Sequence, residues 1–365
     1  MIIQDIISFL EKKIPLAEAE DFDNVGLLCG DARRELTGVL ICHDALEKVV
    51  DEAIEKKANL IVCFHPIIFS GLKSLTGKNY VERAVIKALE NKIAIYAIHT
   101  AFDNHYYGVN YGICEALKLQ NQKILMPKAQ QLCRIDVYVP EGHSETVKDA
   151  MFEAGAGKLG FYSECSFSVE GKGTFKPLEG SQPFLGSPNQ REEATEQVVS
   201  VIAEDYKVPD IVRAMKAAHP YEEVAHQILE TKNENHYSGL GRFGELPEAM
   251  HEDDFLRLVK ETFGIQVIRH SDLTGKKIQR VGVLGGSGSS GIKAALRSKC
   301  DAYLTGDLKY HDFFLAEGQM LLCDIGHFES EQWVSHQIFD LLSKNFPNFA
   351  FSISQEKTNP VNYFL

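Results

Sequence analysis

Positive charge is scarce in this chain: 38 Lys and Arg stand against 51 Asp and Glu over 365 residues, for a formal net charge of −13 and a pI near 5.5. Phosphate backbones and anionic lipid need a basic surface, so general affinity for nucleic acid or for a charged membrane is excluded as the main activity. No apolar run approaches the roughly 18 residues of a spanning helix. The opening Met-Ile-Ile-Gln-Asp carries an acid and no basic leader ahead of a cleavage site, so a protein that stays in the cytoplasm is expected. The eight cysteines, at 29, 42, 63, 114, 133, 165, 300 and 323, form no Cys-x-x-Cys pair. Neither a zinc knuckle nor a disulfide scaffold is therefore indicated. Tryptophan occurs once, at Trp333, on an expected helix and expected in the core.

Against these absences stand two matching polar endings. Ile93 to Ile98 is apolar and is followed by His99 and Asp103; Leu321 to Ile325 is followed by His327 and Glu331. A histidine with a carboxylate four positions on presents both side chains on one face of a helical turn. Each pair thus sits where a buried strand gives way to a helix, the edge at which open α/β sheets bind ligands. Imidazole mixed with carboxylate suits a divalent transition metal. The likeness runs upstream. Gly38 to Ile41, a helix from Asp44 to Lys57 and Leu60 to Phe64 lead to His65. Gly282 to Leu284, a helix from Ser290 to Ser298 and Ala302 to Leu304 lead to Asp307. Both halves read as βαβ followed by another helix and strand. The expected class is α/β, with two related lobes, residues 1–128 and 238–365, sharing a site between the carboxyl ends of their strands.

Residues 129–237 read differently: strand (133–139), helix (144–154), strands around the glycine-rich segment 155–167, then strand (197–203), helix (209–218) and strand (223–230). Two βαβ-like units with antiparallel connections suggest an inserted ferredoxin-like α+β domain. The turn-rich stretch from Gly171 to Pro188 is expected as an exposed loop, and Gly239 to Gly244 as the return to the second lobe.

Several motifs taken together resemble one family. They are Asp23-Asn24-Val25-Gly26-Leu27, His65-Pro66-Ile67-Ile68-Phe69 with Leu72-Lys73, His99 to Asp103-Asn104, Gly160-x-Tyr162-x-x-Cys165-Ser166-Phe167, His219-Pro220-Tyr221-Glu222-Glu223, Gly239 to Gly244, Thr305-Gly306-Asp307 and Gly326-His327-x-x-x-Glu331. The chain resembles the NGG1-interacting-factor-three-like dinuclear metal proteins, the GTP cyclohydrolase I type 2 homologues, in their long form. The resemblance implies a metal pair on His65, Asp103, His327 and Glu331, subunits assembled as a homohexamer, and a middle domain similar to trimeric signalling and metal-tolerance proteins. It implies one or two divalent cations per subunit, and Zn, Fe, Mn and Co all accept such ligands. One departure matters: the family reads His-His-Pro where this chain has Phe64-His65-Pro66, so one ligand of one metal is missing.

Other residues keep two readings. His99 is either a ligand or a proton-transfer group, and Asp307 a partner that orients a ligating imidazole or a proton shuttle. Asp23-Asn24 either stabilises a turn or faces the substrate. The glycines from 285 to 291 follow a strand and open a helix, as a phosphate cradle would, but lack the Gly-Lys-Ser/Thr ending. His219 to Glu223 is either a helix exit or a third metal motif; His43-Asp44, His270 and His311-Asp312 are read only as pocket wall. The favoured activity is metal-dependent hydrolysis of a small substrate, possible nucleotides included, with His99 and Asp307 as the catalytic candidates. A metal-storage or delivery scaffold and a regulatory protein with a ligand-sensing middle domain are the alternatives.

Overall fold

The computed structural model describes residues 1–129 and 131–364. Gln130, near which the sequence starts the middle domain, and Leu365 lie outside them. In chain order the strands are Gly26–Cys29 (β1), Val39–Asp44 (β2), Leu60–His65 (β3), Ala94–Ala97 (β4), Gln120–Lys128 (β5), Leu132–Pro140 (β6), Ser166–Phe175 (β7), Glu192–Glu204 (β8), His226–Glu230 (β9), Asn235–His251 (β10), Arg269–His270 (β11), Lys277–Ser287 (β12), Ala302–Gly306 (β13), Leu321–Asp324 (β14) and Phe351–Ile353 (β15). The chain divides into two compact units, Met1–Met126 with the stretch from Ser238 onward, and Pro127–Tyr237.

The first unit holds two sheets, ordered β1-β4-β3-β2-β15 and β11-β14-β13-β12-β10-β5. Each contains three consecutive parallel strands (β2, β3, β4, which β15 extends in parallel, and β12, β13, β14), and an antiparallel strand lies at the edge beyond the last of them, β1 or β11. The strand runs are apolar in almost every position because both faces are covered. Leu60, Val62 and Phe64 of β3 enter one core with Val281, Val283, Ala302 and Leu304 of the other sheet. Ile61 and Cys63 face the opposite way, onto Val49, Val50 and Ala53 of the helix Glu47–Glu55 and Ala84, Val85 and Ala88 of the helix Tyr80–Glu90. One core thus serves the inner faces of both sheets, and this holds the strand ends of the two halves against each other. The helices His99–Asn104 and His327–Glu331 follow β4 and β14 directly. Trp333 lies partly buried against that core, its ring 5.0 Å from Phe263.

One connection departs from expectation. Between β13 and β14 the chain makes a 3-10 segment, Tyr310–Ala316, instead of an α-helix. Its Tyr310 and Phe314 are exposed, so no long apolar face is there to drive a longer helix onto the sheet.

The second unit is a four-stranded antiparallel sheet, ordered β7-β8-β6-β9, in the chain sequence β6, helix Ser144–Glu153, β7, β8, helix Val208–Ala218, β9. Val147 and Met151 of one helix and Ile211 and Met215 of the other cover Ile135, Val137, Val199 and Val201 of the sheet. Gly171 to Phe175 are not loop: they pair with Glu192 to Glu196 as the end of β7. Alternating glycine imitates a turn signal, and the long partner strand overrides it. Among the described residues no helix is long and apolar enough to cross a membrane.

Candidate metal centre

β2 and β3 run parallel in a register that sets Asp44 beside His65, two residues beyond the pair Cys42 and Cys63. Asp44 therefore reaches two rings. Its Oδ1 lies 2.8 Å from Nδ1 of His65 and its Oδ2 3.0 Å from Nδ1 of His43. From the other half, Nδ1 of His327 lies 2.7 Å from Oδ2 of Asp307. With the Nδ1–H of each ring donated to a carboxylate, all three imidazoles turn Nε2 inward, where it donates to Glu331 while protonated and offers a lone pair once the proton is displaced, an assignment inferred from the bonding pattern.

Those nitrogens converge on one oxygen. Oε2 of Glu331 is 3.0 Å from Nε2 of His43 and 3.4 Å from Nε2 of both His65 and His327, and the last two nitrogens are 3.3 Å apart. Glu331 is 3% exposed, and Gly286 makes room for it: with φ of +66°, a Cβ there would lie 2.4 Å from Oε1 of Glu331. The amides of Gly285 and Gly286 are bound by Asn110 and by the Ser330 hydroxyl. The glycine run thus lies against the carboxylate, and these two amides are not free to cradle a phosphate.

The electrostatics follow from this packing. Burial alone would raise Glu331, but the bonds from His43 and His65 and the charge of His327 hold it below the usual carboxylate range. Burial likewise works against a charged His65, yet its bonds to Asp44 and Glu331 outweigh that and push it up to about 10. Asp103 behaves oppositely. Burial and then the charge of Glu331 raise it well above the ordinary value, and its Oδ1 is buried without a hydrogen bond.

The residues named from the sequence are thus brought together unequally. His65, His327 and Glu331 offer atoms within 4.8 Å of one another, as do His43, Asp44 and His65. Asp103 belongs to neither group. His99 stands beside them, its ring 5.2 Å from that of His65, and its Nδ1 is 2.7 Å from Oδ1 of Asp23. Asp23 also accepts from the backbone and hydroxyl of Thr100, so Asp23-Asn24 does more than shape a turn. Phe64 is fully buried, with its ring centroid 5.6 Å from those of both His43 and His99. His43 was read from the sequence only as pocket wall; the available signal was its place beside Asp44 at the end of a strand parallel to β3.

The cluster opens into a cavity of about 470 Å³ lined by Arg269, Asp324, Phe328, Glu329, Asn359 and Tyr363, among others. Arg269 is already paired with Asp324 at 2.8 Å. His270 and His311 do not line it.

The family described as Duf34/NIF3 (NGG1p interacting factor 3) matches residues 1–360. A "GTP cyclohydrolase 1 type 2 homolog" of Bacillus subtilis is 35% identical over 368 residues, covering 99% of this chain and 98% of the relative. A crystal structure of a Bacillus cereus protein related to NIF3 superposes with a TM-score of 0.87 at 35% identity, covering 100% of this chain and 99% of that one. The crystal structure of a Staphylococcus aureus protein gives 0.79 at 28% identity over 100% and 99% of the two chains.

Proposed function

This chain belongs to the Duf34/NIF3 family, and from that premise we propose that it is a metal-dependent hydrolase, with a divalent transition metal held by His43, His65, His327 and Glu331 and a second, weaker position served by Asp103. The observation that carries the reading is the convergence of three Nε2 atoms on one oxygen of Glu331, with each ring fixed from behind by Asp44 or Asp307. Lone pairs 3.3 Å apart, as on His65 and His327, repel unless a proton or a cation lies between them. The unpartnered buried Oδ1 of Asp103 fits the same explanation. The donor set of imidazole and carboxylate without thiolate suits Zn, Fe, Mn or Co.

Bound there, such an ion would supply Lewis acidity, acidifying a water nucleophile and polarising the bond it attacks. The chain's own part is positional. Asp44 and Asp307 orient three imidazoles from behind, Glu331 supplies buried negative charge, and Asp23 holds Nδ1 of His99 so that its Nε2 is left to take up a proton. In this account Asp307 orients His327 and does not touch substrate. The name of the relatives puts GTP among the first substrates to try. The cavity wall favours a metal-anchored substrate, because Arg269 is spent on Asp324 and Asp307 and Glu329 are acidic.

The sheet order of the second unit supports a ferredoxin-like insert, and we extend the proposal to the homohexameric assembly that the family resemblance implies. Elemental analysis of protein purified without added metal, followed by a hydrolase screen with that metal restored, tests the activity. Turnover lost in His327→Ala is expected; binding of metal with no turnover of any substrate would leave a storage scaffold.

Phe64 makes the stoichiometry a separate prediction. One ion per chain should be retained through desalting and a second lost, and Phe64→His, which puts a nitrogen donor among His43, His65 and His99, should retain both. Two ions held equally tightly by the unaltered chain would contradict this. A further expectation concerns pH. The pKa of His65 in the metal-free fold lies well above the unfolded value near 6.5. The stabilisation from its charged form is therefore complete below pH about 6.5 and is lost as the pH rises towards 10. Metal binding in this range must displace that proton. Calorimetric titration in two buffers of different ionisation enthalpy should show at least one proton released per ion, with affinity rising about tenfold per pH unit between pH 6 and 8. Uptake of metal with no proton release would count against His65 as a ligand.

A further inference from the structure

The second unit carries its own cavity, of about 400 Å³, bounded by the end of β7, by β8, by the segment 221–225 and by the loop after Phe175. Its wall is largely aromatic. The ring of Tyr221 lies 5.9 Å from that of Phe175 and 6.1 Å from that of Phe184. The loop bearing Phe184 is pinned across the opening, because the backbone N–H of Gln182 donates to both carboxylate oxygens of Glu222 at 3.0 Å.

At the floor stands a carboxylate. Glu196 is 9% exposed, and its Oε1 accepts from the Tyr221 hydroxyl at 3.0 Å. No hydrogen bond to Oε2 is found among the described residues. The backbone is shaped around this atom: a Cβ at position 173 would lie 2.0 Å from Oε2, so β7 must carry glycine there for the side chain to occupy its place. Tyr221 is in turn fixed by His219, whose Nδ1 accepts the Tyr221 N–H at 3.1 Å while its Nε2 bonds the carbonyl of Tyr138 at 2.9 Å. Both nitrogens of His219 are thereby occupied, burial lowers its pKa, and the His-Pro-Tyr-Glu-Glu run is a support for Tyr221, not a metal motif.

We infer that this cavity binds an organic cation, an amine carried on a flat apolar body, with the ammonium on Glu196 and the body between the aromatic rings. A carboxylate in a cavity wall with one oxygen uncommitted to the protein offers that oxygen to a ligand, and a cationic donor makes the stronger bond. Aromatic faces favour both a cation and a planar apolar group, and reject an anion. Glu222 and Glu223 at the rim add negative charge against the single cation Lys176. A cavity of this volume is in the range of small-ligand sites. The inference does not depend on the metal centre, since every residue it uses lies between 138 and 225.

Titration of the full chain with tryptamine, with indole and indole-3-acetate as neutral and anionic controls of the same body, tests it. Saturable binding of tryptamine is expected, with indole weaker and indole-3-acetate undetectable. Glu196→Gln, which keeps the shape and the Tyr221 bond, should weaken tryptamine by about tenfold or more, the value of a charged hydrogen bond. Phe184→Ala, on the exposed loop, should weaken tryptamine and indole alike and guards against misfolding at position 196. Absence of tryptamine binding, equal binding of the carboxylate, or unchanged affinity in Glu196→Gln would each overturn the assignment.

Discussion

Glu331→Ala should strip the folded protein of its tightly held metal. One oxygen of this side chain meets Nε2 of His43 at 3.0 Å and those of His65 and His327 at 3.4 Å, and the carboxylate itself is buried. Alanine removes the one carboxylate among the described residues to which all three rings turn, leaving three Nε2 atoms facing one another. Changing a group that merely orients a ligand costs about 10–100-fold in metal affinity; losing the shared carboxylate should cost more than about 100-fold. Stability should fall without metal as well, by roughly 1–3 kcal/mol, since buried His43 loses one of its two carboxylate partners while the more open His65 and His327 keep Asp44 and Asp307. Elemental analysis after dialysis and a melting curve of the metal-free protein check the two parts. Metal retained at the level of the unaltered chain would remove Glu331 from the site.

Chelation of the unaltered protein should lower its melting temperature steeply. His43 and His65 come from the first half of the chain and His327 and Glu331 from the second, so an ion held between them joins segments separated by more than two hundred residues. Metal affinity is then folding energy. At a free metal concentration of about 1,000 times Kd the gain is about 4.1 kcal/mol, which for a unit of this size corresponds to roughly 10 °C. Restoring the metal should restore the transition. A melting temperature indifferent to metal and chelator would show that no such link exists.

The strands and helices that carry the site were legible because the host unit buries its sheets on both faces. Leu60 to Phe64 and Leu321 to Cys323 are continuous apolar runs, and a polar residue at the end of such a run has nowhere to go but the sheet edge. His65, His327 and Glu331 could be picked out on that ground, with the resemblance adding their roles. His43 could not. Its importance rests on the register that sets Asp44 against His65, a pairing across strands that no local pattern reports. Asp103 was named as a ligand with the others; it lies outside the two groups whose atoms fall within 4.8 Å of one another, though near enough for the charge of Glu331 to raise it. The strand at Gly171 to Phe175 was hidden because one of its glycines, Gly173, leaves room for the carboxylate of Glu196 on the neighbouring strand, a constraint imposed from outside the segment.

Amide hydrogen exchange, followed segment by segment with and without metal, bears most directly on a centre shared between the two halves. The account predicts that removing metal speeds exchange at the ends of β2, β3 and β4 and equally at the ends of β13 and β14, with the helices His99–Asn104 and His327–Glu331 among the segments most affected. Faster exchange in one half alone, with the other unchanged, would contradict it, because the metal would then be held entirely within that half.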